Sequence, residues 1–254
     1  MTDPTRPVAL VTGVGRVVGL AAAIAGQLAD DGFDVATSHW APYDERMPWG
    51  PQPDDVATIG ESLRAKGAAT VAVEADLSDV ATPAALFDRV EAELGPVTAL
   101  VMAHCESIDS SILDTTVESF DRHFAVNTRG SWLLIAEFAR RYRGERGAGR
   151  IIAITSDHTV HNLPYGASKG ALDRIVLAAA RELQDLRITA NVINPGPIDT
   201  GWMDDQVREW ALARSPRGRA GRPSDTAAVV SFLCSPKGDW INGQLLYSDG
   251  GIKT

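Results

Sequence analysis

The chain has 254 residues, 44% of them hydrophobic and 22% charged, which is enough for one well-buried domain. Its formal net charge is -9. A nucleic-acid binder usually presents a basic face, so that class is disfavoured. No basic-then-apolar leader opens the chain and no apolar run approaches about 18 residues, so neither a signal peptide nor a membrane span is expected, and a cytoplasmic location is. The two cysteines, Cys105 and Cys234, lie far apart and make no metal-ligand pattern, so no metal is expected.

In chain order, Val8–Val11 is a short apolar run that fits a buried strand. A glycine-rich stretch follows, Thr12-Gly-Val-Gly-Arg-Val-Val-Gly19, and then Leu20, Ile24 and Leu28 recur every four residues, one face of a helix. Strand, glycine turn and helix make the front of a dinucleotide site. Gly13, Gly15 and Gly19 let backbone approach a pyrophosphate, and the helix start at Leu20 offers free N–H groups and a positive dipole end. A glycine-rich turn with no ligand is the alternative.

Asp34–Thr37 reads as the second strand and runs into Ser38-His39-Trp40. A site that prefers NAD usually has a carboxylate near this point. None is present, and Arg16 lies in the glycine loop, so the expectation tilts to NADP(H), with NAD(H) as the alternative. Residues 41–53 hold four prolines and read as a loop.

A helix is expected over 54–66, a strand over Thr70–Val73, a helix over Pro83–Leu94 and a strand over Ala99–Met102. Thr115-x-x-Glu118 has the form of a capping box opening a long helix through Asn127 and Trp132. Five arginines between residues 140 and 150 read as a solvated helix end, or as a docking patch for an acidic carrier protein. Arg150–Ser156 is the fifth strand, Ile188–Ile193 the sixth and Gln244–Ser248 the last. The segment Gly201–Ser215 reads as an amphipathic surface helix or a lid, and Ser224 as the cap of a helix to about Cys234. Alternating strands and helices predict a three-layer α/β fold, a single doubly wound Rossmann-type domain with a largely parallel seven-stranded sheet.

Tyr165-Gly-Ala-Ser-Lys169 places a phenol and an ammonium one turn apart on a single helix face. A free tyrosine has a pKa of about 10, and a fixed cation nearby favours phenolate. A tyrosine tuned in this way can pass a proton to or from a carbonyl or alcohol oxygen. Taken alone, the spacing also fits an ordinary surface pair.

Joined in order, Thr12-Gly13, Asp76-Leu77, Val126-Asn127, Ser156, Tyr165-x-x-x-Lys169, Asn194-Pro-Gly-Pro197 and Asp249-Gly-Gly251 resemble the short-chain dehydrogenase/reductase family over nearly the whole chain. The resemblance implies that Tyr165 is the acid/base, that Lys169 lowers its pKa and holds the nicotinamide ribose, and that Ser156 bonds the substrate oxygen. Asn127 would hold a water in the proton path. Asp76 and Leu77 would contact the adenine, and Pro195, Gly196 and Thr200 the nicotinamide. It further implies a small carbonyl/alcohol substrate, with a 3-oxoacyl thioester on an acyl carrier protein as the commonest family guess, and a homotetramer. Trp240 and Leu245-Leu-Tyr247 offer apolar surface for such packing, or serve the chain's own sheet.

Three stretches depart from the family pattern. The glycine turn carries a two-residue insertion before Gly19-Leu20-Ala21, as in the enoyl-acyl carrier protein reductases of the same superfamily, which space their Tyr and Lys more widely. Met102-Ala-His-Cys105 replaces Asn-Asn-Ala-Gly, which removes amides that brace the sheet. Ser156 to Tyr165 is about four residues short of the family spacing, with Asp157, His158 and His161 in the shortened loop as candidate substrate contacts. Enoyl reduction and a cofactor-binding sensor with weak catalysis therefore stand beside carbonyl reduction as readings.

Overall fold

The computed structural model describes residues 6–50 and 52–253. Seven strands form one parallel sheet: β1 Val8–Thr12, β2 Asp34–His39, β3 Thr70–Glu74, β4 Val97–Met102, β5 Arg150–Ile154, β6 Thr189–Asn194 and β7 Leu245–Tyr247. Their order across the sheet is β3-β2-β1-β4-β5-β6-β7. The order reverses between β1 and β4, and a crevice opens there at the carboxyl ends of the strands.

The strands are continuous apolar runs because helices cover both faces. On one face Leu86 and Phe87 of α4 (Thr82–Leu94), Leu134 and Phe138 of α6 (Ser131–Arg141) and Leu172 and Val176 of α7 (Leu163–Glu182) pack on Leu10, Leu100 and Ile151. On the other, Ile24 and Leu28 of α1 (Leu20–Asp30), Ile59 and Leu63 of α3 (Asp55–Ala65) and Val230 and Leu233 of α9 (Pro223–Cys234) pack on Val11, Val101 and Ile152. The four-residue repeat Leu20, Ile24, Leu28 thus does face the sheet. These are the three layers read from the sequence.

Several boundaries move. Residues 41–53 are not all loop: α2 spans Ala41–Glu45, with Pro42 in its first turn, where a missing N–H costs nothing. Thr116, not Thr115, caps α5 (Val117–His123), accepting from Ser119 N at 3.1 Å, while the Thr115 hydroxyl donates to Ser111 O. The long helix is broken by a π-helical stretch, Phe124–Gly130, which carries Asn127. Helix α9 is capped by Arg222, whose N–H donates to Asp225 at 2.7 Å, so Ser224 is already helical. Leu245 and Leu246 of β7 pack into the chain's own core, whereas Trp240 is 97% exposed.

Candidate active site

The crevice is a cavity of about 1060 Å³. Gly13, Gly15, Arg16, Gly19 and Leu20 line one side of it. Asp76 and Leu77, beyond β3, line a second, and Pro195, Gly196 and Thr200, beyond β6, a third. Ser156, Tyr165 and Lys169 line it as well. Of the predicted catalytic and cofactor-binding residues, Asn127 does not: it is fully buried behind the wall.

At the glycine turn, Gly13 has φ +80 and a Cβ there would lie 2.7 Å from the main chain of His104. Only glycine fits. Gly19 stands at the start of α1 with no side-chain cap, so the first N–H groups of that helix are left for a ligand. These features fit a dinucleotide pyrophosphate. Arg16 stretches across the opening: it donates to Thr200 O and lies 4.2 Å from the Trp49 ring centroid. Trp49 in turn meets Trp202 edge-on at 5.2 Å. Residues 40–50 thus close the crevice from above by contacts with the glycine loop and with the segment before α8 (Asp205–Arg214).

The sheet braces expected to be missing are supplied by His104. Its Nδ1 meets Thr12 Oγ1 at 2.6 Å, and its Nε2 meets Ser131 Oγ at 3.1 Å and Val126 O at 3.3 Å. A neutral ring with hydrogen on Nε2 satisfies all three, so a histidine does the work of an amide. Burial first, then the Lys169 charge, push its pKa down to about 3, which keeps it neutral.

Asn127 grips Glu106 by its main chain and also donates to Ser168 Oγ at 2.9 Å. The Glu106 carboxylate is buried and takes both Arg46 nitrogens at 2.8 Å and Arg122 Nε at 3.2 Å. Glu106 therefore ties α2's end to α5 beneath the cavity. Neither Glu106 nor Tyr43 is singled out by any sequence motif, yet both line the cavity. Tyr43 lies against Cys105, a weak acceptor, and its hydroxyl has no other partner. The only sequence signal was the density of aromatics from Trp40 to Trp49.

Lys169 is buried, with Nζ donating to Ile154 O at 2.9 Å and His104 O at 3.3 Å, and it lies 5.8 Å from the Tyr165 ring centroid. Ser156, just beyond the end of β5, lies beside the Tyr165 hydroxyl and favours its ionised form. The expected lowering of the phenol pKa does not hold. Burial pushes Tyr165 well above its ordinary value, coupling to the Cys105 thiol adds to that, and the neighbouring Ser156 only partly offsets it. Burial likewise pushes Lys169 down. The carbonyls that hold the ammonium, not the phenol, take its nearest hydrogen bonds.

The shortened Ser156–Tyr165 loop folds directly onto α7. A Cβ on Gly166 would lie 2.3 Å from Thr159 Cγ2 and 2.5 Å from His158 O. Asp157 and His158 line the cavity and His161 does not. Asp157 is held by Lys253 at 2.7 Å, so the C-terminal segment closes this side.

Sheet order, glycine turn and the Ser156–Tyr165–Lys169 cluster define a Rossmann-type oxidoreductase. Comparison with known proteins agrees. A family model described as Enoyl-(Acyl carrier protein) reductase matches residues 13–253. An uncharacterized oxidoreductase of Bacillus subtilis (strain 168), YjdA, is 32% identical over 257 residues, 99% of each chain. A chloroplastic NADPH-dependent aldehyde reductase-like protein of Arabidopsis thaliana is 34% identical, over 96% of this chain and 93% of its own. A blue fluorescent protein from a metagenomic library, solved in complex with NADPH, superposes with a TM-score of 0.86 at 30% identity, covering 98% of each chain. The chain belongs to the short-chain dehydrogenase/reductase family.

Proposed function

We propose that this protein is an NADP(H)-dependent reductase or dehydrogenase that interconverts a carbonyl and an alcohol. The observation that carries the reading is the Tyr165 hydroxyl, beside Ser156 and one helical turn from Lys169, in the wall of a cavity that the glycine turn also lines. NADP(H) is supported by the NADPH-dependent Arabidopsis relative and by the NADPH complex of the structural neighbour.

The bound cofactor supplies or takes the hydride. The glycine turn and the start of α1 would hold its pyrophosphate, Asp76 and Leu77 its adenine, and Pro195, Gly196 and Thr200 its nicotinamide. Ser156 positions the substrate oxygen and Tyr165 gives it a proton. Lys169 spends two N–H groups on carbonyls, and its third would be free to hold the cofactor's ribose. Asn127 holds the Glu106 stretch in place beneath them; its amide is bonded to the Glu106 main chain and Ser168 and does not line the cavity, so it acts by positioning that stretch. Segment 201–215 acts as the lid, since Trp202, Met203 and Trp210 line the cavity.

The substrate is a small carbonyl compound, with a 3-oxoacyl thioester as one candidate. Docking of a carrier protein on the arginines of 140–150 finds little support, because Arg141 is paired with Asp88 and Glu137, Arg140 with Glu137, and Arg150 with Asp239. Enoyl-thioester reduction is the second reading, favoured by the matching family model and the two-residue insertion. The four-residue Tyr–Lys step argues against it. A weak-catalysis sensor is disfavoured by the intact quartet Asn127, Ser156, Tyr165 and Lys169. We further propose a cytoplasmic homotetramer. Trp240 and the exposed Leu113, Val117 and Trp132 supply apolar surface for it, and no described helix is long and apolar enough to cross a membrane.

A panel of ketones, alcohols and enoyl thioesters assayed with NADPH and NADH tests the reading. Carbonyl turnover that is lost in Tyr165→Phe supports it. Turnover of enoyl thioesters alone overturns it in favour of the second.

A further inference from the structure

In dinucleotide folds the end of β2 faces the adenosine ribose, and the residue there distinguishes a 2′-hydroxyl from a 2′-phosphate. Here that end is His39 followed by Trp40, and both line the cavity. Two ring nitrogens, His39 Nδ1 and Trp40 Nε1, are buried and have no hydrogen-bond partner. They occupy adjacent positions of the chain, and the nearby Tyr43 hydroxyl has only the weak acceptor Cys105. Other ring nitrogens nearby are satisfied. Trp49 Nε1 donates to Asp44 at 2.8 Å, and both nitrogens of His104 and of His123 are bonded. Among the described residues, the buried ring nitrogens without partners are these two, side by side at the end of β2. Native proteins pair nearly all buried polar groups, so an exception clustered on a ligand cavity marks groups that a ligand completes.

The alternative reader, Arg16, is committed elsewhere: it donates to the Thr200 carbonyl and covers Trp49. Glu74 and Asp44 face His39, and their charges favour the protonated ring, although burial outweighs them. No carboxylate occupies position 39 itself, where one would accept a ribose hydroxyl and repel a phosphate.

We propose that His39 and Trp40 are the specificity-determining residues for the cofactor's 2′-phosphate, presenting two ring N–H donors where other sites use a cation. The inference rests on reading the cavity as a dinucleotide site. Because both nitrogens are buried, engaging them requires a small opening of residues 40–50.

The test is calorimetric. Dissociation constants for NADPH, NADH, 2′,5′-ADP and 5′-ADP are measured on the intact chain, on Trp40→Phe, on His39→Leu, on the double variant and on Arg16→Ala. Each single variant at β2 should weaken NADPH and 2′,5′-ADP at least fivefold and move NADH and 5′-ADP less than twofold. Retained NADH binding shows that the variant is folded. Equal loss for all four ligands, or no change, overturns the inference alone. So does a preference erased by Arg16→Ala while the β2 variants keep it. A wild-type chain that binds none of the four overturns the dinucleotide reading and the inference with it.

Discussion

Asn127 holds both polar groups of Glu106's main chain: its Oδ1 accepts the Glu106 N–H at 2.7 Å, and its Nδ2 donates to the Glu106 carbonyl at 2.9 Å. The π-helical stretch sets Asn127 at this register between α5 and α6. One amide thereby fixes the strand-end segment that carries Cys105 and Glu106 in the cavity wall, and through Glu106 the arginine that anchors residues 40–50.

Asn127→Ala should leave a buried N–H and a buried carbonyl without partners. Each such loss costs about 1–3 kcal/mol. Urea unfolding should show roughly 2–4 kcal/mol lost, and turnover should fall beyond what the surviving folded fraction explains. An unchanged unfolding midpoint would show that the grip contributes nothing.

His104 predicts an acid-sensitive fold. Its folded pKa, about 3, lies below the ordinary 6.5, so between these values the unfolded chain binds the proton and the folded chain does not. Stability contributed here is present above pH 6.5 and is lost as pH falls towards 3, with an upper bound of roughly 5 kcal/mol. His104→Asn keeps hydrogen-bonding groups and removes the titration. Urea midpoints at pH 7, 5.5 and 4.5 should fall more steeply for wild type than for the variant; parallel curves would refute this.

Tyr165→Phe should keep NADPH binding and lose about 10²–10⁴-fold in turnover. Because burial holds the phenol above its ordinary value, it stays protonated through the working range, and carbonyl reduction should show no alkaline fall in kcat from its loss. Lys169, pushed below its ordinary value, loses its charge first as pH rises. The alkaline effect should therefore appear as a rising KM for NADPH, absent in Lys169→Ala, which should bind the cofactor weakly at every pH. A kcat limb well below pH 10 that vanishes in Tyr165→Phe would restore the lowered-phenol view.

Gly166→Ala tests the shortened loop. The added methyl meets Thr159 and the His158 carbonyl, so the strand-to-helix loop must shift. Overpacking of this kind costs about 1–3 kcal/mol, and with Ser156 and Tyr165 at the loop's two ends, kcat/KM should drop further than stability. Thermal unfolding and activity at wild-type levels would mean that the loop yields freely.

What the sequence determined by itself is the part written in periodicity and local chemistry. Apolar runs broken by helical repeats gave the three layers, since burial on both faces of a parallel sheet requires them. The glycine turn and the Tyr165–Lys169 step are short-range patterns, legible because one turn and one helix turn create them. What only the tertiary structure decided involves residues far apart in the chain. His104 replaces lost amides because Thr12, Val126 and Ser131 converge on it. Glu106 becomes an anchor because Arg46 and Arg122 arrive from separate helices. The phenol's pKa rises instead of falling because burial depends on everything packed around Tyr165, whereas the sequence shows only the lysine four positions on. The unpaired nitrogens of His39 and Trp40 belong to the same class, for a missing partner is visible only when every neighbour is in place.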